Sequence, residues 1–112
     1  YSLPLVGISD PDPMVPQSYN LFQNYPNPFN PVTKIYYQVT KPGVNVKLVV
    51  YDINGKQVSV LVNKIMHSFG ETAEFNSAGL SSGIYFYTIT VTDPELGSSA
   101  VYTDTKKMIL IK

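Results

Sequence analysis

The sequence predicts an all-β fold, a seven-stranded antiparallel immunoglobulin-like β-sandwich. From Val32 onward apolar and polar residues alternate with period two. No apolar period of 3.6 residues persists for three turns, and Val, Ile, Thr and Tyr dominate the runs. Turn signals at Lys41-Pro42-Gly43, Asn54-Gly55 and Leu80-Ser-Ser-Gly83 divide the chain into short segments of strand length. Strand order is not readable from periodicity, so a partly open small barrel is the other arrangement the pattern allows.

A short first strand is expected over residues 19–23. In the next, Ile35, Tyr37 and Val39 face one way and Lys34, Tyr36 and Gln38 the other. Val46, Leu48 and Val50 then alternate with Lys47, Val49 and Tyr51. Asn54-Gly55, whose residues both tolerate positive φ, should turn this strand into one over 57–62. A turn near 67–70 precedes a strand over 72–76, with Ala73 and Phe75 on one face and Glu74 on the other. Gly83 relieves the turn into 84–92, where Tyr85, Tyr87, Ile89 and Val91 share a side. Residues 93–99 are a polar connection, and 101–111 close the fold. The expected core is Ile35, Tyr37, Val39, Val46, Leu48, Val50, Phe75, Tyr85, Tyr87, Ile89, Met108 and Leu110. A register one residue off would instead bury Lys34 and Lys47.

Seven of the nine prolines fall in the first 31 residues. Each removes a backbone donor and restrains its predecessor, so residues 9–16 read as a stiff extended tether. The division is therefore an upstream arm and Pro-rich tether over 1–18 and a folded domain over 19–112. Leu3, Leu5, Val6 and Ile8 are the tail of a preceding domain or an arm docking on this one. The chain starts at Tyr1 without a charged-then-apolar leader, as expected of a piece of a longer protein.

The 112 residues carry eight Lys, no Arg and eight acids, for zero net charge. That balance argues against a nucleic-acid binder. No run of 18 apolar residues exists to span a membrane. Without cysteine there is no disulfide framework, thiolate nucleophile or Cys-based zinc site. Charge is nonetheless segregated: −2 over 1–31, +4 over 32–67, −5 over 71–104 and +3 over the last eight residues. This arrangement forms charged docking faces or neutralises itself internally.

Catalytic chemistry has little to build on. His67 is the one histidine; Ser68 is adjacent and Glu71 four positions on, and neighbouring residues rarely aim a serine at a histidine. Glu71 and Glu74, at odd spacing on one strand, should face opposite ways, which spoils a glycosidase pair. No phosphate loop, G-x-S-x-G or H-E-x-x-H occurs. Asp10 with Asp12, and Asp93 with Glu95, are too few oxygens for calcium. No cofactor or metal is expected. Nine tyrosines make a carbohydrate-binding module the main functional rival, with Tyr36, Tyr51 and Tyr102 as an exposed platform. A passive spacer in a multidomain surface enzyme is the third reading.

Four segments go beyond generic all-β: Leu21-Phe-Gln-Asn-Tyr-Pro-Asn-Pro-Phe-Asn-Pro31, Val50-Tyr-Asp-Ile-Asn-Gly-Lys56, Leu80-Ser-Ser-Gly-Ile-Tyr-Phe-Tyr87 and Lys106-Lys-Met-Ile-Leu-Ile-Lys112. Together they resemble the type A C-terminal sorting domain of the type IX (Por) secretion system. They are also similar to the immunoglobulin-like domain of flagellar hook-capping proteins. The resemblance covers about residues 19–112. It implies a non-catalytic domain directing an upstream cargo through the periplasm and the outer membrane to the cell surface or beyond. The implied partners are the secretion translocon, a sortase-like peptidase and the covalently linked cargo, with the domain itself a monomer. Two places are candidates for translocon recognition. The first is Asn24, Pro26, Asn27, Pro28, Phe29 and Asn30, whose prolines pin an irregular extended segment at little entropic cost. The second is Lys106, Lys107 and Lys112, around the apolar end of the last strand, where lysines also guard a sheet edge.

Overall fold

A computed structural model describes residues 17–97 and 99–112. The arm and nearly all of the tether, with Asp10 and Asp12, lie outside the described residues. The described chain forms β1 (Asn20–Leu21), β2 (Val32–Gln38), β3 (Asn45–Tyr51), β4 (Gln57–Ile65), β5 (Gly70–Asn76), β6 (Gly83–Thr92) and β7 (Ala100–Leu110). A single 3-10 turn, Pro94–Leu96, interrupts the β6–β7 connection.

The strands pair as a three-stranded sheet, β1-β2-β5, and a four-stranded sheet, β4-β3-β6-β7, with every pairing antiparallel. The chain crosses between sheets after β2, β4 and β5. This is an immunoglobulin-like sandwich in which β4 joins β3 rather than the sheet of β1, β2 and β5. The inner faces form one core, and all twelve expected core residues are buried in it. Lys34 and Lys47 are exposed, so the predicted register holds in β2 and β3.

The structure departs from the sequence pattern in three places. β4 continues to Ile65, and the ladder runs on as Met66 N–H donates to the Val44 carbonyl at 2.9 Å. Val44 and Met66 thereby join the core. The β3–β4 ladder also shifts register at Leu48/Val49 and at Val50/Tyr51. Each irregularity turns the side chains of β4, so Val58, Leu61 and Val62 pack on the core while Val60 is exposed.

The third departure is the β3–β4 turn. Asn54 does not take positive φ; only Gly55 does, at +83°. Asp52 dictates this geometry: its Oδ1 accepts from the N–H groups of Asn54 and Lys56, both at 2.9 Å, and its carbonyl accepts from Gly55 N–H. A Cβ at Gly55 would meet nothing within 4 Å, so Gly55→Ala costs only backbone strain. The expected loss is about 1 kcal/mol, measured as a lower urea midpoint at unchanged slope.

The charged segments meet at a few points of the fold. Lys41 Nζ lies 2.7 Å from Asp93 and 3.6 Å from Glu95, and Lys64 lies 2.7 Å from Glu71. The Lys41 ammonium and the Glu95 N–H hold the Asp93 carboxyl below its ordinary 3.8. Lys64 does the same for Glu71, against an ordinary 4.5. Lowered carboxylates stabilise the fold fully above their ordinary range, and that contribution is lost as pH falls below it through the lowered values of the folded chain. Between pH 7 and pH 3 the wild-type chain should therefore lose stability more steeply than the Glu71→Gln, Asp93→Asn double variant. Urea unfolding at each pH is the check.

Candidate recognition surface

The chain leaves β1 without turning directly into β2. Phe22 N–H donates to the Tyr36 carbonyl at 3.0 Å, and Tyr25 exchanges both backbone bonds with Lys34. Between and beyond these contacts the segment crosses to the other sheet. The Tyr25-Pro26, Asn27-Pro28 and Asn30-Pro31 bonds are all cis. Prolines lack the N–H needed for a regular ladder, so only the residues between them can pair.

What they pair with is the outer edge of β7. Phe29 N–H donates to the Ile109 carbonyl at 3.0 Å, and Ile111 N–H donates to the Phe29 carbonyl at 3.1 Å. The two segments run parallel there, through Phe29 and Leu110. Asparagine and glutamine side chains supply the remaining bonds. Asn27 Oδ1 accepts from Ile109 N–H at 3.0 Å, and Gln23 Nε2 donates to the Lys107 carbonyl at 2.7 Å. The end of β7 is thus closed by the Asn-Pro segment, and the Phe29 ring meets Phe75 edge-on at 6.0 Å inside the core.

Asn24 is the internal clamp. It is 2% exposed, and its Nδ2 donates to Thr33 Oγ1 at 2.9 Å and to the Pro26 carbonyl at 3.1 Å. Its backbone N–H donates to the Tyr87 hydroxyl at 2.8 Å, which in turn donates to the Phe22 carbonyl at 2.8 Å. Burial pushes the Tyr87 hydroxyl up to about 12. Among the described residues no buried side-chain polar atom lacks a partner.

The nine candidate positions therefore divide by accessibility. Asn24 and Phe29 are buried; Pro26, Asn27, Pro28 and Asn30 are exposed. Lys107 and Lys112 are exposed as well, and Lys112 N–H donates to Ser82 Oγ at 2.9 Å. Lys106, next to Lys107 on β7, points to the inward side, partly covered, with Nζ 4.0 Å from Asp104. Thr33 lies in no motif, and Gln23 and Tyr87 lie in motifs that do not announce their part in assembling the segment. Their partners lie up to 84 positions away, and only the fold reveals them.

The other sequence candidates do not assemble. His67 is exposed, and Ser68 Oγ donates to Gly70 O and Glu71 Oε2, both at 3.2 Å. Glu74 lies across from Lys34 on the outer face, whereas Glu71 lies across from the buried Tyr37. Burial, reinforced by the Glu71 charge, pushes the Tyr37 hydroxyl up to about 12. Asp93 also accepts from Glu95 N–H at 3.0 Å. Among the described residues no three His, Cys, Asp or Glu side chains come together to hold a metal. Tyr36, Tyr51 and Tyr102 occupy three different places: the outer face of the three-stranded sheet, the outer face of the four-stranded sheet, and the inward side of β7 stacked on Tyr19.

Among described residues no helix is long and apolar enough to cross a membrane. No curated protein matches the chain. The crystal structure of the CARDB domain of a Pyrococcus furiosus protein, in complex with di-metal ions, is similar at 16% sequence identity and a TM-score of 0.49. That match covers 92% of this chain and 100% of the other. The model of the family described as secretion system C-terminal sorting domain matches residues 23–110, from the Gln23 that caps β7 to the Leu110 beside Phe29. The chain belongs to the family of secretion system C-terminal sorting domains, non-catalytic modules that serve as secretion signals.

Proposed function

We propose that residues 19–112 direct an upstream cargo, joined through residues 1–18, out of the periplasm by the type IX route and onto the cell surface or beyond. In this reading the domain acts as a monomer. The translocon engages the exposed part of the joined surface, namely Pro26, Asn27, Pro28, Asn30, Lys107 and Lys112. A sortase-like peptidase then acts at or before the tether. Asn24, Phe29 and Lys106 hold that surface in shape.

One observation carries the proposal. The Asn-Pro segment and the basic last strand, about 80 positions apart, are hydrogen-bonded into a single exposed edge. A partner that reads this edge reads both ends of the folded domain at once, so it selects folded domains over unfolded chains. The test is a reporter fused ahead of Ser9 in a host with the secretion system. Surface display with the domain and periplasmic retention without it is the expected result. Display unchanged after removal of the domain would make it a spacer.

A further inference from the structure

The outer face of the three-stranded sheet carries a feature that the sorting role leaves unused. Tyr25, 81% exposed, lies directly across from Lys34, which lies across from Glu74. One row along, Phe22 and Tyr36, each 40% exposed, bring their rings to 5.3 Å, with Thr72 next in the row. Residues directly opposite in an antiparallel pair share a face, so Phe22 and Tyr36, tilted by 39° to each other, and Tyr25 belong to one face on two rows about 7 Å apart.

Gly70 sets the attitude of the central ring. A Cβ at this position would collide with the Tyr36 hydroxyl and press on its ring carbons, the nearest at 3.0 Å. The Tyr36 ring therefore reaches across β5 to the bare backbone of Gly70, while Phe22 packs on it and 40% of the residue stays exposed.

We infer that Phe22, Tyr25 and Tyr36 form a stacking platform for a neutral, extended oligosaccharide. Sugar rings present flat C–H faces that cover aromatic surface, and their hydroxyls need polar partners at the rim. Lys34, Glu74 and Thr72 supply donors and acceptors in the adjoining positions of the same rows. One cation and one anion side by side leave the face without net charge, which favours a neutral glycan over an anionic one. The face is open and lies on the outer side of a sheet, which suits a polymer running across it rather than an enclosed small ligand. This platform differs from the Tyr36, Tyr51 and Tyr102 set suggested by the sequence, and shares with it only Tyr36.

The full chain is to be run in native gels containing mixed-linkage β-glucan, arabinoxylan or galactomannan, with polygalacturonate as the anionic control. Retardation by at least one neutral polysaccharide is expected. Tyr25→Ala with Tyr36→Ala should weaken it about tenfold or more, as loss of aromatic anchors does. Gly70→Ala, which lifts the ring without removing it, should weaken it to a lesser degree, and Tyr51→Ala should leave it unchanged. Circular dichroism on each variant confirms folding. Three results would each overturn the inference: no retardation by any neutral polysaccharide, full retardation of the folded double variant, or retardation by polygalacturonate alone. A proline-rich peptide that bound these rings while the glycans did not would assign the face to peptides instead.

Discussion

Tyr87→Phe lowers the unfolding free energy by about 2–4 kcal/mol, although it deletes one oxygen atom. The hydroxyl accepts from Asn24 N–H and donates to the Phe22 carbonyl, both at 2.8 Å, in a residue with no exposed surface. Without it, the buried Asn24 N–H loses its partner at about 1–3 kcal/mol, and the part-buried Phe22 carbonyl loses a bond worth about 1 kcal/mol. The Asn24 side chain does not replace it, because it is already bonded to Thr33, Pro26 and Gln23. Tyr85 is the internal comparison. Its hydroxyl makes a single bond, 2.7 Å to the Ser81 carbonyl in an exposed turn, where water can substitute. Tyr85→Phe should therefore cost about 1 kcal/mol. Urea unfolding followed by circular dichroism measures both. Equal effects in the two variants would mean that the Tyr87 hydroxyl does not tie the Asn-Pro segment to the core. The difference matters for function, since that bond connects the candidate recognition surface to the middle of β6.

How much of this was legible beforehand follows from the range of each interaction. Alternation is a local signal, so β2, β3, β5 and β6 and their buried faces could be read directly from Ile35, Leu48, Phe75 and Ile89. β4 was harder because Val58, Val60, Leu61 and Val62 are all apolar. The one polar residue among them, Ser59, lies across from the buried Val50 and so does not mark the outer face, and the two register shifts are not readable from the pattern. At the β3–β4 turn, Asn54-Gly55 correctly announced a hairpin, but its geometry belongs to the Asp52 carboxylate. The candidate surface was visible as two separate motifs and invisible as one. The prolines show that 24–31 cannot be a ladder strand, and nothing local says that Phe29 will pair beside Leu110. The aromatic platform was missed for a related reason. Tyr25 and Phe22 join Tyr36 only through the cross-strand register, and the clue at Gly70 lies 34 positions from the ring that needs it.

The variant Lys107→Ala with Lys112→Ala is expected to stay folded and to fail in export. Both side chains are exposed, and neither forms an ion pair among those seen in the structure. Each replacement should then change stability by less than about 0.5 kcal/mol. If the secretion machinery reads the edge made by the Asn-Pro segment and β7, these ammonium groups flank what it grips. Two exposed charge contacts together contribute about 0.4–2 kcal/mol, so their loss weakens engagement by up to roughly tenfold or somewhat more. A reporter fused ahead of Ser9 should accordingly shift from the surface to the periplasm, with the purified variant unfolding at the wild-type urea concentration. Adding Lys106→Ala tests the geometry further. Lys106 faces inward beside Asp104, so its removal should lower stability slightly and deepen the export defect little. Asn24→Ala provides the opposite control: it removes a buried clamp, so export and stability should fall together. Normal display of the double lysine variant would remove the basic residues from the recognition surface and leave Pro26, Asn27, Pro28 and Asn30 as its remaining exposed candidates. A double variant that failed in export only because it had unfolded would show instead that the lysines support the fold, and the comparison with Asn24→Ala separates these two outcomes.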